Sequence, residues 1–292
     1  MPIKHLVFSG GGPTMVQTLG SVQYLEEKEF IKREEIETIY GTSAGALVGT
    51  LFCLNFDWIT VNDYIIKRPW QDVFKIQVQN ILDAYTKKGV FDITVIEKWL
   101  KPLFEAKDLS LAITMKEFFE YSCVELHFFT FEVNDFQLHD VSYLTFPDLL
   151  LTQALLMTCS IPFLITPYLS DGKCYVDGGV VCNYPLKYCL ESDGKQNNEI
   201  LGFKNNYKNS ATAINEESTM LDFILSILFK TMYRLASEHS VPSIDYEVVC
   251  RTESLTFQFL RTSLTSMEAR KDLWQSGRDF AADFLTTITE TQ

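Results

Sequence analysis

The chain is short of cations. Its 292 residues carry 25 Lys and Arg against 38 Asp and Glu, a formal net charge of −13. Such a chain repels phosphate backbones, which argues against nucleic-acid binding. It also lacks a polybasic patch for anionic headgroups, so membrane contact is expected through apolar surface. No CxxC occurs, and the seven cysteines, at 53, 123, 159, 174, 182, 189 and 250, are odd in number. That pattern favours free thiols in a reducing compartment and disfavours a zinc site. The start, MPIKHLVFSGGG, has only the apolar run Leu6 to Phe8. No signal peptide is expected there, and the expected location is cytoplasmic, with peripheral membrane contact. A D-x-D-x-D-G calcium loop and a Walker lysine are both missing, so no metal or cofactor is expected and activity should be calcium-independent. Histidines are few: His5, His127, His139 and His239. No repeat and no low-complexity tract appears.

Hydrophobic residues make up 47% and charged residues 22%, which is globular composition, and a chain this long can bury a large core without staples. Leu149 to Ser170 holds no charged residue and is long enough to span a bilayer. Pro162 and Pro167 interrupt it, so a buried helix over 148–159 followed by an extended segment fits better.

The opening alternates. Residues 3–9 read as a buried strand, and Gly10-Gly11-Gly12 breaks it. Val16, Leu19, Val22 and Leu25 then recur at helical spacing. Residues 37–40 read as a second strand, 41–45 as a turn and 44–56 as a buried helix. This is the pattern of a parallel sheet with helices on its faces. Further on, a helix is predicted over 92–104, strands over 124–133, 137–141 and 199–204, and a hairpin of 165–169 with 173–177 around Asp171-Gly172. The polar, Asn-rich stretch 205–217 reads as a loop or boundary. Beyond it come a helix over 218–238, a strand over 246–251 and an amphipathic helix over 265–285 through Met267, Trp274, Gly277, Ala281 and Phe284.

Gly41-Thr42-Ser43-Ala44-Gly45 is G-x-S-x-G. A serine on a sharp strand-to-helix turn projects its hydroxyl from the sheet edge, and side chains two positions either side would clash. The helix N-terminus beneath favours developing negative charge. Ser9-Gly10-Gly11-Gly12-Pro13-Thr14 also sits between strand and helix, where glycines let backbone amides turn toward an anion. A dinucleotide fold wants G-x-G-x-x-G, but position 15 is Met. An acyl-transfer oxyanion therefore fits better than a nucleotide. Pro13 has no N–H, leaving Gly11 and Gly12 as donors.

The serine needs a base. In a Ser–acid–His order only His239 follows Asp177, and it carries no supporting motif. Asp177 ends a strand before Gly178 and Gly179, where a loop tip can approach another site. Its rival, Asp171, is explained by a hairpin turn.

These residues together resemble the patatin-like phospholipase family, which orders a Gly-rich oxyanion loop, G-x-S-x-G and D-G-[GA]. Here they are Gly10 to Gly12, Gly41 to Gly45 and Asp177 to Gly179. Ala154, Ser160, Ile161, Pro162 and Phe163 resemble the segment that precedes D-G-G there, and Asn183, Tyr184 and Pro185 its Asn-x-Pro follow-on. The resemblance covers about residues 3 to 190. It implies a three-layer α/β/α fold with a central, mostly parallel sheet and a more helical C-terminal part. A catalytic core would occupy 1–192, with 193–292 continuing the same domain.

The resemblance further implies a lipid acyl hydrolase of phospholipase A type with a Ser43–Asp177 dyad and an acyl-enzyme. Gly11, Gly12 and Ala44 would supply the oxyanion hole, and the substrate would be a glycerophospholipid or another acyl-ester lipid. Two alternatives remain, a Ser–His–Asp esterase and a non-catalytic lipid-binding protein on the same scaffold. The second is motivated by a departure: the family follows its Gly loop with Arg or Lys and then Gly, and Thr14 and Met15 stand there instead. Arg33, Lys67 and Arg68 are the cations that could substitute. The apolar face of 218–238, with Phe223, Ile224, Ile227, Leu228 and Phe229, reads either as core or as cover for an acyl groove or bilayer contact.

Overall fold

Runs of β-branched and aromatic residues with alternate side chains buried on opposite faces build the central sheet. The computed structural model describes residues 2–192, 194–207, 214–238, 243–252 and 255–291. The strands are β1 (His5–Phe8), β2 (Thr38–Thr42), β3 (Gly89–Phe91), β4 (Glu125–Glu132), β5 (Gln137–Val141), β6 (Phe163–Ile165), β7 (Tyr168–Ser170), β8 (Lys173–Asp177), β9 (Ile200–Tyr207) and β10 (Tyr246–Thr252). Among the described residues eight of them form one sheet in the order β10-β9-β1-β2-β4-β8-β7, with β5 paired to β4, while β3 and β6 pair separately. β10, β9, β1, β2 and β4 run parallel, and β5, β7 and β8 add antiparallel pairings.

Leu6, Phe8, Ile39 and Phe128 pack into the larger core, beneath helices Met15–Glu27, Ala44–Cys53, Leu151–Cys159 and Met267–Thr291. Val7, Tyr40 and Phe129 face the other way, toward Leu186 and Cys189 of helix Leu186–Glu191. A sheet buried on both faces by helices is the three-layer arrangement.

Helix Met267–Thr291 lies against Met15–Glu27 at a crossing of two glycines. A Cβ on Gly20 would overlap the Trp274 carbonyl, and one on Gly277 the Gln17 carbonyl. Ser21 Oγ donates to the Gly277 carbonyl at 2.7 Å, and Trp274 Nε1 donates to Gln23 Oε1 at 2.9 Å.

Several expectations need correction. Strand β9 runs to Tyr207, so Asn205 lies in the sheet rather than in a boundary loop. The segment 165–169 is not one hairpin arm. Phe163–Ile165 pairs with β3, and only Tyr168–Ser170 pairs with β8. The buried helix expected over 148–159 is there and ends at Cys159, but it starts later, at Leu151. Among the described residues no helix is long and apolar enough to cross a membrane. The last helix begins at Met267, after a separate helix Phe257–Thr265.

Candidate active site

The register of β4 brings the two motifs together. A strand has only two edges. On one edge β4 pairs with β5 over Phe128 to Glu132. On the other, its first half pairs with β2, Thr42 facing Phe129, and its last residues pair with β8, Asp177 facing Thr130. Strands β2 and β8 therefore meet end to end along one edge of β4, and the residue after Thr42 arrives beside Asp177.

Ser43 sits on that junction with φ 53° and ψ −123°. Positive φ at a non-glycine residue costs about 1–3 kcal/mol and persists where surrounding contacts fix it. Here the Ser43 amide donates to Thr158 Oγ1 at 2.9 Å, and that hydroxyl donates to the Phe129 carbonyl at 2.6 Å. The flanking glycine is sterically required, since a Cβ on Gly45 would lie 2.5 Å from the Phe8 carbonyl.

Asp177 is 1% exposed. Its carboxylate accepts a hydrogen bond from the Gly179 amide at 2.7 Å, and the Ser43 side chain lies beside it. Burial pushes its pKa from the ordinary 3.8 up to about 7, outweighing the opposing effects of Ser43 and the Gly179 amide. The D-G-G spacing follows from packing: a Cβ on Gly178 would overlap the Phe129 carbonyl, and one on Gly179 would lie 2.9 Å from Asp177 Oδ1 and 3.1 Å from Met232 Cε. Helix Met220–Glu238 thus lies over the aspartate loop through Met232. Leu225 is buried while Phe223 and Ile227 are about half exposed, so the helix is neither wholly core nor wholly surface. The Cys159 thiol lies near Ser43, and burial holds its pKa well above the usual thiol range.

The glycine loop is held by its carbonyl. Gly10 O accepts from Asn183 Nδ2 at 3.1 Å, Asn205 Nδ2 at 3.0 Å and Tyr207 OH at 3.2 Å. The Gly10 amide is itself used by the Asn183 carbonyl at 2.9 Å. Across a trans peptide, N–H and C=O point in opposite directions. Fixing the Gly10 carbonyl therefore fixes the Gly11 N–H to point away from those three side chains. Among the described residues the amides of Gly11, Gly12 and Ala44 meet no protein acceptor. A Cβ on Gly11 would overlap Thr14 Oγ1 and lie 2.6 Å from both Asn205 Nδ2 and Tyr207 OH. A Cβ on Gly10 would lie 3.2 Å from Ser43 Cβ, which places the loop against the serine.

Thr14 is fully buried, donates to the Gly11 carbonyl at 3.2 Å and accepts from Asn205 Nδ2 at 2.8 Å. It braces the loop where a cation stands in the family pattern. The three cations considered as substitutes are engaged elsewhere. Arg33 pairs with Glu26 at 2.8 Å, Lys67 with Asp63 at 2.6 Å, and Arg68 stacks on Tyr64 and Trp70.

Three histidines have other partners. His5 bonds Thr38, and burial lowers its pKa to about 4. His127 pairs with Asp140 at 2.7 Å, and His139 packs edge-on against Tyr175. His239 lies outside the described residues. Asp171 forms the exposed hairpin turn and bonds Ser170. Among the described residues no group of three His, Cys, Asp or Glu side chains converges to hold a metal. Sequence reasoning missed Asn205, Tyr207 and Thr158, because their partners lie about 115 to 200 residues away along the chain.

Comparison with known proteins places the chain in a family. Residues 6–190 match the patatin-like phospholipase family. The chain is 28% identical over 196 residues to the probable lipid hydrolase 463L of Invertebrate iridescent virus 6, a match covering 66% of each chain. The chain thus spans just under two thirds of that relative's length. It is 23% identical over 278 residues to the uncharacterized protein R571 of Acanthamoeba polyphaga mimivirus, covering 94% of this chain and 88% of that one. The fold resembles VipD of Legionella pneumophila, with a TM-score of 0.57 at 18% identity over 98% of this chain and 67% of VipD. It also resembles ExoU in its complex with SpcU from Pseudomonas aeruginosa, with a TM-score of 0.50 at 15% identity over 98% of this chain and 52% of that one. With the family matched over 6–190, the glycine loop, the serine turn and the D-G-G loop all fall inside that span, and the chain belongs to the patatin-like phospholipase family.

Proposed function

We propose that the protein is a lipid acyl hydrolase of phospholipase A type, cleaving ester-linked acyl chains through Ser43 and Asp177. The observation that carries this reading is a strained serine brought by the register of β4 beside a buried carboxylate whose pKa burial pushes up to about 7. A carboxylate at its ordinary pKa is a poor base at neutral pH, and one near 7 is matched to the task.

In this reading Asp177 takes the Ser43 proton as Oγ attacks the ester carbonyl. The amides of Gly11, Gly12 and Ala44 receive the oxyanion, aided by the N-terminus of helix Ala44–Cys53. The tetrahedral intermediate collapses, Asp177 returns the proton to the leaving alcohol, and the acyl chain stays on Ser43. Asp177 then deprotonates water, which attacks the acyl-enzyme and releases the fatty acid. No step calls for a metal or a histidine. The substrate class, an acyl-ester lipid, is taken from the family and from the name of the viral relative. The proposed setting is a reducing compartment with peripheral contact to lipid, consistent with seven unpaired cysteines.

A non-catalytic, lipid-binding reading has one observation in its favour, the uncharged Thr14 in the glycine loop. One experiment decides between the two. Phospholipid is incubated with wild type and Ser43→Ala, products are resolved by mass, and both proteins are treated with a fluorophosphonate. Release of fatty acid and labelling by wild type alone supports the hydrolase. Absence of both in a folded wild-type protein overturns it.

A further inference from the structure

Helix Val78–Lys87 is turned inside out. Its sequence, VQNILDAYTK, places Val78, Ile81, Leu82 and Tyr85 on one stripe at helical spacing and Gln79, Asn80, Asp83 and Lys87 on the other. A helix on a water-soluble domain normally buries the apolar stripe. Here no residue of the helix is buried, and Asn80, Asp83 and Ala84 are the ones half-covered by the protein. The apolar stripe faces away, with Val78 76%, Ile81 58%, Leu82 65% and Tyr85 93% exposed. Ile76, just before the helix, extends the same exposed surface.

This face is joined to the loop that carries Asp177 by strand pairing and a short chain of hydrogen bonds. The helix leads directly into β3, which pairs with β6. Thr166, just after β6, donates its amide to the Phe91 carbonyl at 2.8 Å, and its own carbonyl accepts from Ser160 Oγ at 2.8 Å. The Ser160 carbonyl in turn accepts the Asp177 amide at 3.0 Å. Gly89 of β3 is registered against Phe163, an exposed aromatic that adds to the apolar surface beside this segment.

We propose that the outward face of helix Val78–Lys87, with Ile76 and Phe163, is the surface on which the protein settles onto a zwitterionic lipid layer, from which the active site draws its substrate. The inference rests on the lipid-hydrolase reading above for its choice of occupant. An acyl-ester substrate resides in a lipid layer, and the patch is tied through β3, Thr166 and Ser160 to the loop that carries Asp177. The charges around the patch agree. Lys75 and Lys88 stand exposed at its two ends, where long side chains reach headgroup phosphates. Asp83 is on the inward side, tied to Gln79 at 2.6 Å and Lys87 at 3.1 Å. A stripe of this width with polar residues behind it is the form of an interfacial helix, which buries its apolar side at the headgroup boundary.

The test uses the full chain and unilamellar vesicles of dioleoylphosphatidylcholine. Co-sedimentation is measured in a Ser43→Ala background, so that hydrolysis does not alter the vesicles, with and without Ile81→Asp plus Leu82→Asp. Tyr85→Ser serves as a milder second variant. The double variant is expected to lose at least about tenfold in vesicle partition and to hydrolyse vesicle lipid correspondingly more slowly when Ser43 is present. Its kcat/KM on a water-soluble short-chain ester and its melting temperature should stay at the wild-type values, because neither side chain is buried. Vesicle partition unchanged by the substitutions, or no partition by the parent protein, overturns the proposal. So does a parent dimer that the substitutions dissociate while vesicle partition is unaffected, since the face would then join two copies. If vesicle partition follows the face but neither ester is hydrolysed, the lipid surface stands and the hydrolase reading fails.

Discussion

Asn205 Nδ2 stands 3.0 Å from the Gly10 carbonyl and 2.8 Å from Thr14 Oγ1, so one amide group from β9 grips both ends of the glycine turn. With Tyr207 and Asn183 on the same carbonyl, the turn is oriented before substrate arrives. Preorganised donors are effective because they need no rearrangement as charge develops. Asn205→Ala should therefore lower kcat by roughly tenfold to a hundredfold, less than outright loss of an oxyanion donor. KM should change little, since Asn205 acts through the turn. Steady-state kinetics on a soluble ester checks this, and an equal fall in affinity with kcat intact would contradict it.

The dyad has its own test. Ser43→Ala and Asp177→Asn should each reduce turnover by at least about 10⁴-fold, the scale seen when members of a catalytic unit are removed. His239→Ala should leave turnover near wild type. An active Asp177→Asn protein, or a dead His239→Ala protein that is folded, would move the assignment to a histidine base.

The raised pKa of Asp177 makes two predictions about pH. As a base it works only when ionised, so kcat should rise with pH through an apparent pKa of about 7 and then level off. Stability should move oppositely. The folded protein holds a proton that the unfolded chain releases near 3.8. The contribution of this group is therefore greatest below about pH 4, declines as pH rises to about 7 and is constant above. Asp177→Asn removes the buried charge, so it should melt higher than wild type at pH 8, with the difference shrinking toward pH 4. Calorimetry across that range reads the sign directly.

The glycine crossing between helices Met15–Glu27 and Met267–Thr291 gives a prediction about stability alone. Gly277→Val would force its side chain into the Gln17 carbonyl and should cost about 1–3 kcal/mol or more by overpacking. Chemical denaturation would show a lowered midpoint. The labelling rate of Ser43 in the fraction that remains folded should be near normal.

Chelation and salt probe the surroundings of the reaction. Turnover should be unchanged by EDTA, because no step of the proposed mechanism uses a metal. Binding to phosphatidylcholine vesicles should be nearly constant from low salt to about 0.5 M, since apolar burial is not screened as charge attraction is. A steep loss with salt would point to headgroup charge as the main attraction.

Much of the site was legible because its signals are local. Gly41 to Gly45 and Gly10 to Gly12 each complete a turn within a few residues, and the continuous apolar run Leu6, Val7 and Phe8 marks a buried strand. Strand β5 falls at 137–141, as its residues suggested. The clamp was not legible. Asn205 reads as loop because its neighbours are polar, and only the pairing of β9 with β1, nearly two hundred residues apart in sequence, turns that polarity toward Gly10. The short helices between 58 and 87 were missed for a different reason. Trp58–Asn62 and Trp70–Val73 have five and four residues, too few for a period to show. In Val78–Lys87 the apolar stripe is present but faces away from the core, so no rule that equates such a stripe with burial would place it.

The place of β9 beside β1 also bears on what counts as a working unit. The family match ends at residue 190, yet two of the three tethers on the Gly10 carbonyl come from residues 205 and 207. A polypeptide trimmed to the signature-bearing stretch would keep its nucleophile and its acid. It would also leave one side of β1 bare and, of the three side chains on the Gly10 carbonyl, only Asn183. Length, as much as motif content, would then separate an enzyme from a look-alike.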